Sequence, residues 1–477
     1  MQPASRQVSV ALVALRFGHS RGRLPPLGAL SLAGALSERG IAWELIDGER
    51  RAGFSATSLD EFVALVERIE ADVIGFSAFH DAIPLLVVGL EQLAPKLRNR
   101  RIMIGGPAVV GIEQRLLARV PALEAVITGE AETLFPDLVD AVPGALGRPG
   151  LAQRGANWPG ARALQTARPG VSLPELGSLP EPAWWWCAGK GYCVVPLSMM
   201  RGCPFACSFC EVEAHMGRRV RRLDPAQGVR RLERALAHID GRHAQILDDA
   251  FALQRSYCLD FCRELRGQPW RVSFEIFARP GLLDEVTIEA LAAAGCCKVY
   301  LGLDAGDDEL LARVTHRQKV ADAVRSVRAI SRHIPVEVNM MWGYPFETLE
   351  QFARTLELCA ELPEQSGGLP VRGRLHLLQP SVGTALFAEH GRAVQLRDEV
   401  GPLRQRAGSA LLRLIADDPI LAAAFYRYAT PDYAEKVRRL RVHEAEQQAM
   451  VGRAQRHRRS GAIGASSGWR LPRISKE

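Results

Sequence analysis

The stretch that most constrains this chain is RGCPFACSFC, Arg201 to Cys210, in which Cys203, Cys207 and Cys210 stand at the spacing CxxxCxxC. Three thiolates suit a four-iron cluster that must leave one iron unligated, because a cluster held by four cysteines has no coordination position to offer a small molecule. An open iron is a reaction site. The competing arrangement is a zinc centre, which needs a fourth soft or imidazole ligand to close its tetrahedron, and His215 is the nearest candidate. The alternating strand and helix patterns that follow suit the cluster better than a small zinc module.

The totals narrow the setting. A chain of 477 residues, 47% of them hydrophobic, is expected to form two or three domains with real cores. It contains no uninterrupted apolar run of about 18 residues, and MQPASRQVSVALVAL lacks the flanks of a secretory signal, so a cytoplasmic protein without a membrane span is expected. The ten cysteines lie mostly in one central block, unlike a secreted disulfide framework. The net charge of +7 comes from Arg residues scattered among acids, which is not the footprint of a nucleic-acid-binding face.

From Val8 onward, apolar runs alternate with amphipathic segments: VSVALVAL, AWELID, ADVIGFSAF, RIMIGGPAVV and AVITGE. Continuous apolar strands separated by helix-length patterns such as LDEFVALVERIE predict a parallel sheet covered on both faces, a Rossmann-like α/β domain over residues 6–142. Ligands of such sheets lie beyond the carboxyl ends of the strands. The residues there are Ser77, Gly105, Gly106, Thr128, Gly129 and Glu130, and the glycines would let a large flat ligand approach the backbone. No GxGxxG follows the first strand and no GxxxxGK is present, which weakens a nucleotide reading.

Residues 143–192 are rich in Pro, Gly, Ala and Arg and read as an irregular linker ending in LPELGSLPEPAWWWC, with Trp184, Trp185 and Trp186 as packing residues. Strand and helix patterns resume over 193–390. Expected strands are the run before the cysteine loop, ILDDAF (246–251), VSFEIF (272–277), KVYLGLD (298–304), VEVNMMWGY (336–344) and LHLLQP (375–380). These make a six-unit partial (β/α) barrel whose strand ends and cysteine loop meet at one mouth. Asp248, Asp249, Glu275, Arg279, Asp304 and Asn339 then lie on or just after strands, although capping a following helix is a common alternative for an Asp there. Cys187 and Cys193 read as inert thiols, and Cys258, Cys262, Cys296 and Cys297 as core. Residues 391–477 read as a helical extension with a loose tail.

The cysteine loop, after an apolar run and a Gly, resembles the signature of the radical S-adenosylmethionine superfamily. ILDDAF resembles that family's DDxF strand, IFARPG its Arg after the third strand, LGLDAG its G(I/L)ES phrase with Asp304 for Glu, and GYPFET its GxPxET phrase. PPLGALSLAGAL, the Ser after the third strand, GGP and TGEAE together resemble the cobalamin-binding domain upstream of many such enzymes. The resemblance spans about residues 8–390. It implies a [4Fe-4S] cluster on Cys203, Cys207 and Cys210, S-adenosylmethionine beside Asp248, Asp249, Glu275, Arg279, Asp304 and Asn339, and cobalamin beside Ser77, Gly105, Gly106, Thr128, Gly129 and Glu130. A cationic sulfonium with a ribose diol and a carboxylate needs acidic acceptors and an Arg, and the set has both.

Where cobalamin domains with a His lower ligand carry DxHxxG, this chain reads FGHSRG, with Phe17 in place of the Asp that would orient His19. Cobalamin without a His lower ligand is therefore expected. The activity implied is a C-methyltransferase: a 5'-deoxyadenosyl radical removes hydrogen from an unactivated carbon, which then takes methyl from methylcobalamin. A non-methylating radical rearrangement or cyclisation, and a cobalamin or iron-sulfur sensor, are the alternatives. A small-molecule or peptide substrate and a flavodoxin- or ferredoxin-type electron donor are the implied partners.

Overall fold

The computed structural model describes residues 8–17, 22–140, 162–165, 173–249, 251–315, 317–398 and 407–460. His19, most of the expected linker and the tail after residue 460 lie outside the described residues. The chain divides into two compact units. One comprises the described residues of Met1–Ala250, Trp270–Val272 and Gln379–Tyr428, and the other those of Phe251–Pro269, Ser273–Leu378 and Ala429–Glu477.

The first unit is built on six parallel strands, β1 (Ser9–Leu15), β2 (Ala42–Asp47), β3 (Val73–Ala78), β4 (Arg101–Gly105), β5 (Leu123–Thr128) and β6 (Arg162–Gln165). Their order in the sheet is β2-β1-β3-β4-β5-β6. The apolar runs are strands buried on both faces, because helices α1 (Leu27–Glu38), α2 (Leu59–Glu67), α3 (Ile83–Leu93), α4 (Glu113–Arg119) and α5 (Leu134–Asp140) follow them in turn. The order reverses at β1, which pairs with both β2 and β3, and this switch point opens the crevice where such sheets bind ligands.

Two expectations need correction. The segment read as an irregular linker contributes β6, which pairs with β5 in parallel; a four-residue RALQ strand is too short to register as a hydrophobic pattern. The segment after residue 390 is not one appended extension. Its first part, with the antiparallel pair Val394–Leu396 and Tyr426–Tyr428 and the helix Ser409–Asp417, belongs to the first unit. Leu411, Leu414 and Ile415 of that helix join the core of the first sheet, which is why α3 is buried along almost its whole length.

The same unit carries the cysteine loop. Strand β7 (Val195–Leu197) leads into the short strand β8 (Met200–Arg201), which pairs antiparallel with β9 (Arg221–Arg222) and so closes the base of the loop. Within the loop lies α6 (Val212–Met216), and α7 (Pro225–Leu236) follows under a capping box from Asp224. Strand β10 (His243–Ile246) then pairs in parallel with β7. The expected ILDDAF strand is thus only the exit of β10, because Asp248 turns back to accept from backbone amides instead of continuing the ladder.

In the second unit, β11 (Ser273–Ala278), β12 (Cys296–Asp304), β13 (Val336–Trp342) and β14 (Val371–Leu377) pair in sequence order, all parallel. Helices α8 (Arg255–Arg266), α9 (Glu285–Ala294), α10 (Asp308–Val314), α11 (Val320–Ile330) and α12 (Leu349–Glu361) alternate with them. Counted with β7 and β10, the chain supplies the six strand–helix repeats expected of a partial barrel. Side chains alternate along each strand: Phe274, Ile276, Val299, Leu301, Val338 and Met340 are buried, while Glu275, Lys298, Tyr300, Glu337 and Asn339 share the opposite, half-buried face. The same alternation corrects one cysteine: Cys296 is buried, but its neighbour Cys297 is exposed. The C-terminal helix Tyr433–Ser460 belongs to this unit. Among the described residues, no helix is long and apolar enough to cross a membrane.

If the helix Ser409–Asp417 is a true part of the first core, Leu414→Ala removes a side chain only 3% exposed and lowers stability by about 2–5 kcal/mol. Thermal unfolding followed by circular dichroism is the check, and an unchanged transition would detach this helix from the core.

Candidate functional site

The cysteine loop is shaped by its own backbone. Gly202 has φ +91, and a Cβ there would stand 2.3 Å from the Arg219 carbonyl oxygen, so the two limbs of the loop approach closely only with glycine at this position. The Cys203 amide donates to the Gly217 carbonyl, and the Cys210 amide to the Cys207 carbonyl. All three loop thiols are half-buried. Burial pushes the Cys210 thiol up to about 12, so a bound cation is what would hold it as thiolate. His215, the fourth ligand that zinc would need, instead turns toward Glu211, 3.7 Å away.

The base of the loop is clamped by charge. Arg201 and Arg221 are cross-strand partners, and both reach the TGEAE segment that follows β5. Arg201 donates to Glu130 Oε2 at 2.8 Å and to Glu132 Oε1 at 2.6 Å, and Arg221 pairs with the other oxygen of Glu130. All four side chains are largely buried. Burial would raise the Glu132 carboxyl, but Arg201 holds it below the usual carboxylate range. A second tie runs from the end of β3: His80 Nε2 lies 2.8 Å from Glu211 Oε1, directly after Cys210. Although burial opposes it, the nearby His215 and His80 imidazoles and hydrogen bonding with Ser381 keep Glu211 well below the ordinary carboxylate range. A third is the Leu386 amide, which donates to the Ser208 carbonyl at 2.8 Å.

At the carboxyl edge of the first sheet, Ser77 is the last residue but one of β3, Gly105 and Thr128 end β4 and β5, and Gly106 and Gly129 lie just beyond. Gly106 has φ +100, and a Cβ on it would lie 2.6 Å from the Ala78 oxygen. Adjacent strand ends therefore present bare backbone, a surface suited to a broad, flat ligand. Glu130 differs from the rest of this set, since its carboxylate is occupied by the two arginines.

The acidic pair after β10 divides in the same way. Asp248 is 1% exposed, and its Oδ1 accepts from the Met199 and Met200 amides at 2.7 and 2.9 Å, bracing the chain where it enters the cysteine loop. Burial pushes its carboxyl up to about 7. Asp249 is exposed.

In the second unit, inter-strand register sorts the polar face into depths. Deep in the sheet, Glu275 opposes Lys298 and accepts from the Tyr300 hydroxyl at 2.9 Å, while Phe277 stacks on Tyr300 with ring centroids 4.8 Å apart. Nearer the carboxyl ends, Asn339 Oδ1 meets His376 Nε2 at 3.1 Å. At the end of β12, Asp304 adopts φ +72, a conformation rare outside glycine, at a register shift between β12 and β13. Burial pushes its carboxyl up to about 6, opposed by the positive charge of Arg279. The residues not anticipated from the sequence are Arg201, Arg221, Glu132, His80 and Glu211 around the loop, and Tyr300 and His376 on this face. The only local signals were that Arg201 and Glu211 flank the cysteine motif and that Glu132 lies two residues past Glu130.

Comparison with known proteins fits both halves of this geometry. The profile of the B12 binding domain matches residues 14–139, and that of the Radical SAM superfamily matches residues 197–359. An uncharacterized methyltransferase of Pyrococcus horikoshii is 24% identical over 354 residues, covering 71% of this chain and 73% of the relative. The anaerobic magnesium-protoporphyrin IX monomethyl ester cyclase of Cereibacter sphaeroides is 23% identical over 351 residues, 71% of this chain and 56% of that longer protein. Among solved structures, the fold is shared with the radical S-adenosylmethionine methyltransferase TsrM of Kitasatospora setae, determined with cobalamin and a [4Fe-4S] cluster bound. That likeness has a TM-score of 0.67 at 19% identity and covers 91% of this chain and 90% of TsrM. It is also shared with the cobalamin-dependent enzyme OxsB, determined with aqua-cobalamin and S-adenosylmethionine, at a TM-score of 0.66 and 16% identity over 93% of this chain and 66% of OxsB. With a B12-binding sheet leading into a radical S-adenosylmethionine domain, the chain belongs to the cobalamin-binding radical S-adenosylmethionine enzymes, which work with a [4Fe-4S] cluster, S-adenosylmethionine and cobalamin.

Proposed function

We propose that the protein is a C-methyltransferase that acts on an unactivated carbon of a small-molecule or peptide substrate, with a flavodoxin- or ferredoxin-type protein as electron donor. One observation carries this reading: a single compact unit contains both the cysteine loop and the carboxyl edge of the B12-binding sheet, joined by the Arg201–Glu130–Glu132 and His80–Glu211 contacts. When bound, the cluster and S-adenosylmethionine supply a carbon-centred radical that takes hydrogen from the substrate, and cobalamin supplies the methyl group. The methyltransferase relative from Pyrococcus horikoshii supports the transfer over a rearrangement.

Within this reading, Cys203, Cys207 and Cys210 are the cluster ligands. Ser77, Gly105, Gly106, Thr128 and Gly129 line the corrin side, with Glu130 fixing the cysteine loop instead of touching the ligand. Arg279, Asp304 and Asn339 of the second unit serve S-adenosylmethionine, the Asp304 carboxylate accepting its hydroxyl or ammonium protons and Arg279 receiving its carboxylate. Asp248 positions the entry to the loop, and Glu275, tied to Tyr300 and Lys298, keeps the deeper face in order.

Anaerobic reconstitution followed by product analysis tests the function: 5'-deoxyadenosine, S-adenosylhomocysteine and a methylated product should form together. 5'-Deoxyadenosine without S-adenosylhomocysteine would point to a rearrangement, and neither product to a sensor. Cys207→Ala should abolish S-adenosylmethionine cleavage while cobalamin, followed by its visible spectrum, stays bound; cleavage at the normal rate would refute the ligand set. Asp304, raised to about 6, is ionised above that pH and neutral below it. S-adenosylmethionine affinity should therefore be full at neutral pH and fall as pH drops through about 6. Asp304→Asn should weaken it roughly tenfold and flatten the pH profile, as read by equilibrium dialysis; a profile that persists in this variant would assign the titration elsewhere.

A further inference from the structure

The second unit contains a fully buried ion pair. Lys436, near the start of the C-terminal helix, and Glu347, in the GYPFET turn after β13, both have side chains 0% exposed. Lys436 Nζ donates to the Glu347 carbonyl at 2.6 Å, to Glu347 Oε2 at 3.0 Å and to Thr430 Oγ1 at 2.8 Å, an acceptor for each of its three protons. Glu347 Oε2 also accepts from the Gly343 amide at 2.8 Å, while Oε1 has no hydrogen-bond partner among the described residues. Lys436 is therefore the cation that compensates this carboxylate.

Stability does not account for such a pair. Removing two charges from water is costly, and an apolar pair of similar volume commonly holds two elements together at least as well. Apolar contact is already present, since Tyr433 of the same helix stacks on Trp342 at 5.8 Å. What an apolar pair could not do is accept from the Gly343 amide. Gly343 follows the last residue of β13, and the next residue, Tyr344, places its hydroxyl 3.4 Å from the Asp304 carbonyl oxygen. A chain of contacts thus runs from Lys436 through Glu347 and the Gly343–Tyr344 turn to the left-handed residue at the end of β12.

We propose that Lys436 is a positioning residue for S-adenosylmethionine: by fixing the Glu347 carboxylate it sets the Gly343–Tyr344 turn and, through it, Asp304, so the C-terminal helix governs cofactor affinity. This rests on the reading that S-adenosylmethionine lies at the strand ends of the second unit. The test uses the full chain, reconstituted anaerobically. Lys436→Met should raise the dissociation constant for S-adenosylmethionine at least tenfold with iron and cobalamin content unchanged. The double variant Glu347→Gln/Lys436→Met, which removes the stranded charge but keeps an acceptor for Gly343, should recover to within threefold of the parent.

Hydrogen exchange read by mass spectrometry on the peptide around Gly343 and Tyr344 should quicken at least tenfold in Lys436→Met, and this readout needs no cofactor. Should the single variant not fold, Thr430→Val removes one acceptor of the ammonium and should give about a threefold change in both measurements. Affinity within twofold of the parent, unchanged exchange in the turn, or a double variant as weak as the single one would each overturn the proposal. Faster exchange in a protein whose parent holds a cluster but does not bind S-adenosylmethionine would overturn the cofactor-site reading and this proposal's link to affinity, leaving the effect on the turn standing.

Discussion

The arrangement of the first unit depends on four charges buried together. Arg201 and Arg221 leave the two ends of the cysteine loop as neighbours on a two-residue ladder, and Glu130 and Glu132 leave the end of β5. No member is tolerable alone, because an unpaired charge in that position loses its hydration without compensation. The cluster is stable only when the base of the loop and the edge of the sheet meet in one geometry. A loop of reactive thiols rich in small and polar residues would otherwise sample many conformations; here its base, its far limb through His80–Glu211 and its middle through Leu386–Ser208 are each tied to the same unit. Such preorganisation is what a metal cluster and a large planar cofactor require of a protein that uses both.

The second unit solves a different problem, that of keeping a polar sheet face from collapsing. Alternation turns every second residue of β11 to β14 to that face, and the polar ones are matched across strands: Glu275 with Lys298 and Tyr300, Glu337 with Arg374, Asn339 with His376. Asp304 is the exception in backbone conformation, strained at the end of β12 and neutralised in part by Arg279. Such a strained conformation persists only where the surroundings over-determine it, here the register shift against β13 and the charge of Arg279.

Adjacent or equivalent residues took opposite roles in ways that sequence could not rank. Asp248 and Asp249 are chemically identical neighbours, yet the first closes on the Met199 and Met200 amides and the second is left exposed. Glu130 sits at a strand end like Gly129 but is taken up by arginines more than 70 residues away in sequence. In each case the outcome is set by which long-range donor arrives, and that information is absent from local pattern.

The sequence by itself determined the parallel strand–helix alternation and the cysteine loop, because strand periodicity and thiol spacing are local, and the resemblance of its phrases to a known family supplied the class of cofactor chemistry. Tertiary structure alone decided that a four-residue strand extends the first sheet, that the segment after residue 390 is shared between both units, and that Lys436 lies beneath the turn after β13. These features depend on unsatisfied edges, uncovered helix faces and buried charges finding partners far along the chain, and such partners exist only once the chain has folded.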